Sequence, residues 1–233
     1  MKQRIIFAVA LGRRQDEIPN TGGVPTVPIA NDRRAKQNHF HDHARSLSDP
    51  PASPDRHRGA RAVMGLSPIG RTRVRALVEV GWLTGTTQII SSGERKSIET
   101  AEPIATALGI DVEINEAMHE NDRSATGFLP PNEFEGVANE FFAYPDRSVR
   151  GWERAVDAQA RIVREAESVL SRHRPGDVLF VGHGAVGTLL FCYYSKIAIT
   201  RAHDQPGGGG HYFSMTKSDR QVLHPWRRME ETP

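Results

Sequence analysis

The stretch Val178-Leu179-Phe180-Val181-Gly182-His183-Gly184 decides how the chain is read. Four apolar residues in a row, with no polar alternation, mark a strand whose sheet is covered by helices on both faces. Pro175-Gly176-Asp177 supplies the turn before it, and the glycines end it abruptly. Val186, Leu189, Leu190 and Tyr193 then fall at helical spacing. A strand leading straight into a helix is half of a βαβ unit, so more strand–helix pairs are expected on either side.

Upstream, Ser67 can cap a helix with Pro68 at its first position, and Val74, Leu77 and Val78 give it an apolar face before Gly81 stops it. Thr86 to Ile90 reads as a buried strand. Ser91-Ser92 opens a helix with Ile98, Ala101, Ala105 and Leu108 on one side and Gly109 at its end. Asp111 to Ile114 is a short strand. Phe134, Val137, Ala138, Phe141 and Phe142 mark a short amphipathic helix, and a longer one is expected from Val149 to His173. Tyr212 to Met215 and Gln221 to Leu223 read as a terminal hairpin. Strands alternating with helices predict an α/β fold, a three-layer α/β/α sandwich with a mostly parallel central sheet.

Before about Met64 the periodic signals are poor, and only Arg4 to Leu11 reads as a strand. Residues 1–64 are therefore expected to form an atypical, poorly ordered leader, with the domain spanning 65–233. Of the 30 Lys/Arg and 28 Asp/Glu, the first 64 residues hold 11 and 6, a balance of +5, and the remainder 19 and 22, a balance of −3. The basic leader has no zinc-finger spacing, no interleaved aromatics and no helical stripe, so a nucleic-acid partner is not expected. The longest apolar run, Ile5 to Leu11, is far short of the roughly 18 residues a membrane helix needs. Arg13-Arg14 follow it where a signal peptide would place small residues. The single cysteine, Cys192, leaves no internal disulfide and suits a cytoplasmic protein.

In folds of this class ligands bind beyond the carboxyl ends of the strands. At Ile89 to Ala101 a strand enters a helix whose free N–H groups attract an anion, and Arg95 in its first turn can fork onto a phosphate. At Gly182-His183-Gly184 an imidazole stands between two glycines that would let a ligand approach the backbone. In Met118-His119-Glu120-Asn121-Asp122-Arg123 a carboxyl group raised in pKa by burial would be a general acid. Residues 121–150 are expected to cap the site. Gln205-Pro206 and Gly207 to Gly210 stand either at its edge or as a hinge.

In order and spacing, Leu66-Ser67-Pro68, Ser91-Ser92 with Arg95 and Thr100-Ala101, the mid-chain Glu120 and the strand ending in His183-Gly184 resemble the histidine phosphatase superfamily, the phosphoglycerate mutase-like proteins. The likeness spans about Gly65 to Trp226. It implies attack of a histidine on a phosphoryl group, a carboxylic acid that protonates the leaving oxygen, and arginines with a second histidine around the non-bridging oxygens. Arg95 then matches the phosphate-clamping arginine, Glu120 the general acid and His183 the second histidine. The implied partner is a small phosphorylated substrate, with hydrolysis favoured over a mutase reaction and no metal or organic cofactor. A non-catalytic anion-binding relative on the same scaffold is the other reading.

The resemblance also calls for Arg-His-Gly or a His-Pro variant after the first strand, and no clean match exists. Arg4 to Leu11 is followed by Gly12-Arg13-Arg14. Arg56-His57-Arg58-Gly59 has no apolar strand before it and lies only nine residues ahead of Leu66. His39, His41 and His43 lack a metal-site context. A one-base shift of reading frame could turn Asp49-Pro50-Pro51 into Thr-His-Pro, about 16 residues before Leu66, and reading the nucleotides across codons 40 to 66 decides that hypothesis.

Overall fold

A computed structural model describes residues 3–10, 65–172 and 174–231. The strands are β1 (Arg4–Val9), β2 (Thr86–Ser91), β3 (Val112–Ile114), β4 (Asp177–Gly182), β5 (His211–Thr216) and β6 (Val222–Arg228). They form one sheet in the order β3-β2-β4-β1-β5-β6. β1 to β4 run parallel, β5 is antiparallel to β1, and β6 is antiparallel to β5. The helices are α1 (Pro68–Val80), α2 (Arg95–Leu108), α3 (Pro131–Ala143), α4 (Ala155–Leu170) and α5 (Gly184–Tyr194).

Alternation along the strands builds the layers. Ile5, Phe7 and Val9 join Val178, Phe180 and Phe213 under α4 and α5, where Ile162, Val169, Val186 and Leu190 close over them. Ile6, Ala8 and Ala10 face the other way, with Leu179 and Val181, beneath Leu77 of α1 and Ala101 and Ile104 of α2. Every residue of β4 is buried, which is why its sequence carries no polar alternation. The α/β/α sandwich with a mostly parallel sheet is thus the observed fold.

The start of β1 is fixed by Asp177, whose carboxylate accepts from the Arg4 backbone N at 2.6 Å and from Arg4 Nε at 2.9 Å. Arg4–Val9 therefore belongs to the domain, at the centre of its sheet, which corrects the boundary drawn at residue 64. An apolar strand was needed there to cover both helix layers, and this segment supplies one. Residues 11–64 lie outside the described residues, and with them His39, His41, His43, His57 and the reading-frame hypothesis.

Local signals set both ends of α1. Ser67 Oγ accepts from Gly70 N, Pro68 opens α1, and Gly81 closes it at φ +70°. Two helix starts differ from expectation. The helix expected from Ser91-Ser92 begins at Arg95, because Ser91 ends β2 and Ser92 N still donates to Val181 O at 3.1 Å. The helix expected from Val149 begins at Ala155, because Arg150 and Gly151 take φ of +50° and +82° and interrupt it. The expected cap packs onto the domain: Leu129, Val137, Phe141, Phe142 and Val149 cluster with Trp152, with Ala155 and Ala158 of α4 and with Leu189 of α5.

Candidate active site

Two strand tips and one loop meet beyond the carboxyl ends of β2 and β4. His183 follows β4 directly, is buried, and stands at the N-cap of α5. Its Nε2 lies 2.7 Å from Ser92 Oγ, at the end of β2, and 3.3 Å from Glu94 Oε1. Burial, reinforced by Lys96, pushes the imidazole pKa down to about 4, so the ring is neutral at pH 7 although Glu94 and Glu120 favour its charged form. A carboxylate beside Nε2 favours the tautomer that carries its proton there. Nδ1 is buried and has no hydrogen-bond partner among the described residues. A proton on Nε2 would meet both Ser92 Oγ and the Glu94 carboxylate.

Glu120 is brought to the same place. Its carboxylate accepts from Val186 N at 3.1 Å and Ala185 N at 3.4 Å, at the start of α5, and lies 3.7 Å from Arg123 Nη2. Burial would raise its pKa, but Arg123, His183, Lys96 and the Val186 N–H outweigh burial and hold the carboxyl down at about 2. The condition set for a general acid, a pKa raised by burial, is not met in the free site. Glu120 is ionised there, because it is buried among cations and helix N–H groups rather than in apolar surroundings.

Arg95 does not join them. Its Nε donates to Glu99 Oε1 at 2.7 Å, its side chain is 57% exposed, and it lies on the outer face of α2. The next residue turns inward: Lys96 is 23% exposed, its Nζ lies 3.5 Å from Glu94 Oε2, and its charge acts on both His183 and Glu120. One residue along a helix is a rotation of about 100°, enough to exchange the two. The cation of this site on α2 is Lys96, a correction to the expectation for Arg95.

Three further side chains complete the cluster: Ser92, from the Ser91-Ser92 motif, and Glu94 and Arg123, to which no sequence motif assigns a role. Ser92 is buried against His183. Glu94, at the N-cap of α2, makes no capping bond and turns into the site. Arg123 packs over the rings of Phe134 and Trp152, 5.0 and 5.5 Å from their centroids, and so carries a charge from the cap onto Glu120.

The glycines flanking His183 also make room inside the fold. A Cβ on Gly182 would lie 2.7 Å from the Phe7 ring, and one on Gly184 would lie 3.1 Å from Gln205 Nε2. Gln205 thus borders the site, and Gly210, whose N donates to Val9 O at 3.2 Å, borders the tip of β1. Among the described residues, no three His, Cys, Asp or Glu side chains converge as a metal site requires, and no helix is long and apolar enough to cross a membrane.

The model of the histidine phosphatase superfamily (branch 1) matches residues 53–221. The chain belongs to the histidine phosphatase superfamily. No curated protein matches it. Among solved structures, a mycobacterial glucosyl-3-phosphoglycerate phosphatase holding inorganic phosphate superposes with a TM-score of 0.64 at 15% identity, over 98% of this chain and 99% of that one. YhfR of Bacillus stearothermophilus gives 0.63 at 15%, over 98% and 100%. A phosphoserine phosphatase of Entamoeba histolytica with 3-phosphoglyceric acid gives 0.63 at 13%, over 98% and 98%. At such identities these likenesses show the fold of a histidine phosphatase.

Proposed function

We propose that this chain takes the phosphoryl group of a small phosphorylated metabolite between His183, Lys96 and the Glu120 loop, and acts as a phosphatase-like hydrolase through a phosphohistidine. One observation carries the reading. His183 Nε2, Lys96 Nζ and the backbone N of Glu120 lie 3.3, 3.5 and 3.4 Å from the oxygens of a single carboxylate, that of Glu94. A ring nitrogen, an ammonium and a backbone N–H around one oxyanion are the donor set a phosphoryl group calls for. Membership of the superfamily supports the same chemistry, as do neighbours named as phosphatases of glucosyl-3-phosphoglycerate and of phosphoserine.

In this reading a histidine nitrogen bonds to phosphorus while the bond to the leaving oxygen breaks, and water then hydrolyses the phosphohistidine. Glu120 gives the leaving oxygen its proton. A dianion arriving beside the ionised Glu120 raises its pKa by like-charge repulsion, so the proton is taken up with the substrate. His183, with its proton on Nε2, holds a phosphoryl oxygen. The sequence offers no clean match for the attacking histidine: Gly12-Arg13-Arg14 stand where it would follow the first strand.

A second reading, a non-catalytic phosphate-binding relative, is favoured by the tip of β1, which continues as Val9-Ala10 and, among the described residues, supplies neither His nor Arg to His183. Turnover of p-nitrophenyl phosphate together with an acid-labile phosphate label on the protein is expected under the first reading. Phosphate binding with neither turnover nor label would establish the second.

A further inference from the structure

Glu94 is an unusual residue for the place it holds. At the N-cap of a helix, Ser, Thr, Asp or Asn would close the first turn with a side-chain oxygen. Glu94 makes no such bond and leaves that turn uncapped. Its side chain is instead largely buried, against His183 Nε2, Lys96 Nζ and the Glu120 backbone N. Burying a carboxylate is unfavourable unless donors meet it, and the donors that meet it here are those of the site itself. Burial and the neighbouring Glu120 raise its pKa, yet His183, Lys96 and the Glu120 N–H together hold it below the usual range, so it is an anion.

Resting on the reading of this cradle as a phosphoryl site, we propose that the Glu94 carboxylate is an internal ligand that occupies the place of a substrate's phosphoryl oxygens, so that a phosphomonoester binds only by displacing it. Charge favours the same conclusion. Lys96 and Arg123 balance Glu94 and Glu120, with His183 neutral, so the free cradle carries no net charge to spare for a dianion. Withdrawal of Glu94 leaves a net positive cradle and frees the Lys96 ammonium and the Glu120 N–H, while His183 Nε2 keeps only Ser92 Oγ. Glu94 thereby sets a threshold: ligands with a full phosphate dianion compete with it, and singly charged carboxylates do so poorly.

The test is inorganic phosphate binding to the full chain, followed by 31P NMR, in the wild type and in Glu94→Gln, Glu94→Ser and Glu116→Gln. Removal of the competing charge is expected to tighten phosphate binding on the order of tenfold in both Glu94 variants. Glu94→Ser also supplies the missing helix cap, so loss of folding does not obscure the result. Glu116, whose carboxylate packs against Gly93 just outside the cradle, is the control for general charge and is expected to change binding less than about twofold. Adding Lys96→Met to Glu94→Ser should abolish the gain. Equal phosphate affinity in wild type and both Glu94 variants would overturn the internal-ligand role while leaving the phosphoryl site standing. Folded variants none of which bind phosphate would overturn both.

Discussion

β1 and β4 lie side by side, parallel and in register, with Val9 opposite Gly182. Beyond Gly182 the chain presents His183. Beyond Val9 it presents Ala10, whose N–H donates to Gly182 O at 2.9 Å. Both strands are equally good as scaffold, since their residues alternate between the same two apolar layers. They differ in what they deliver at the tip. Filling the centre of a sheet asks only for apolar residues of suitable volume. Chemistry asks for one particular side chain at the first position past the strand, and only the β4 tip offers it among the described residues.

The largest expected effect breaks the structural half of that comparison. Phe7 is fully buried at the centre of β1, and Gly182 and Gly187 leave room for its ring. Phe7→Ala should cost about 3–5 kcal/mol in denaturant unfolding. A loss below about 1 kcal/mol would mean that residues 4–9 do not fill the central slot.

Next comes acid. The folded-state pKa of His183, about 4, lies below its ordinary 6.5, so the unfolded chain binds this proton first and stability falls as pH drops from 6.5 to 4. Glu120, at about 2 against 4.5, adds a second loss from pH 4.5 to 2. Melting temperatures across this range should decline on acidification, and His183→Gln should flatten the upper part of the decline.

Asp177→Ala removes the carboxylate that ties the start of β1 to β4 and should cost about 2 kcal/mol by the same unfolding assay. The smallest effect sharpens the functional half. Arg95→Ala removes an exposed pair and should change stability by less than about 0.5 kcal/mol, with phosphate binding unaltered. Lys96→Met should weaken phosphate binding about tenfold, near 1.4 kcal/mol. Isothermal titration of the two variants distinguishes them.

Legibility in the sequence follows the same division. The ends of α1 were readable because Ser67, Pro68 and Gly81 act locally, each through its own backbone geometry. β4 and His183 were readable because an unbroken apolar run ending in glycine has few alternatives. Lys96 was not, because the choice between it and Arg95 depends on where α2 begins. That start is set by a bond from Ser92 N to Val181 O, a contact between residues far apart in the chain. Glu94 carries no local mark either, since its role comes from burial against His183 and the Glu120 loop. Arg123 sits in a turn with no period, and its orientation comes from Phe134 and Trp152 packed beneath it. The ionised state of Glu120 depends on all of these together, so no local motif could announce it.

The central claim is that His183, Lys96 and the Glu120 loop form one phosphoryl-binding cradle. Titration of inorganic phosphate while following the imidazole nitrogens by NMR tests it most directly. Phosphate should produce a saturable shift of the His183 Nε2 resonance that Lys96→Met weakens about tenfold. A His183 signal that stays still, or one that responds identically in Lys96→Met, would contradict it.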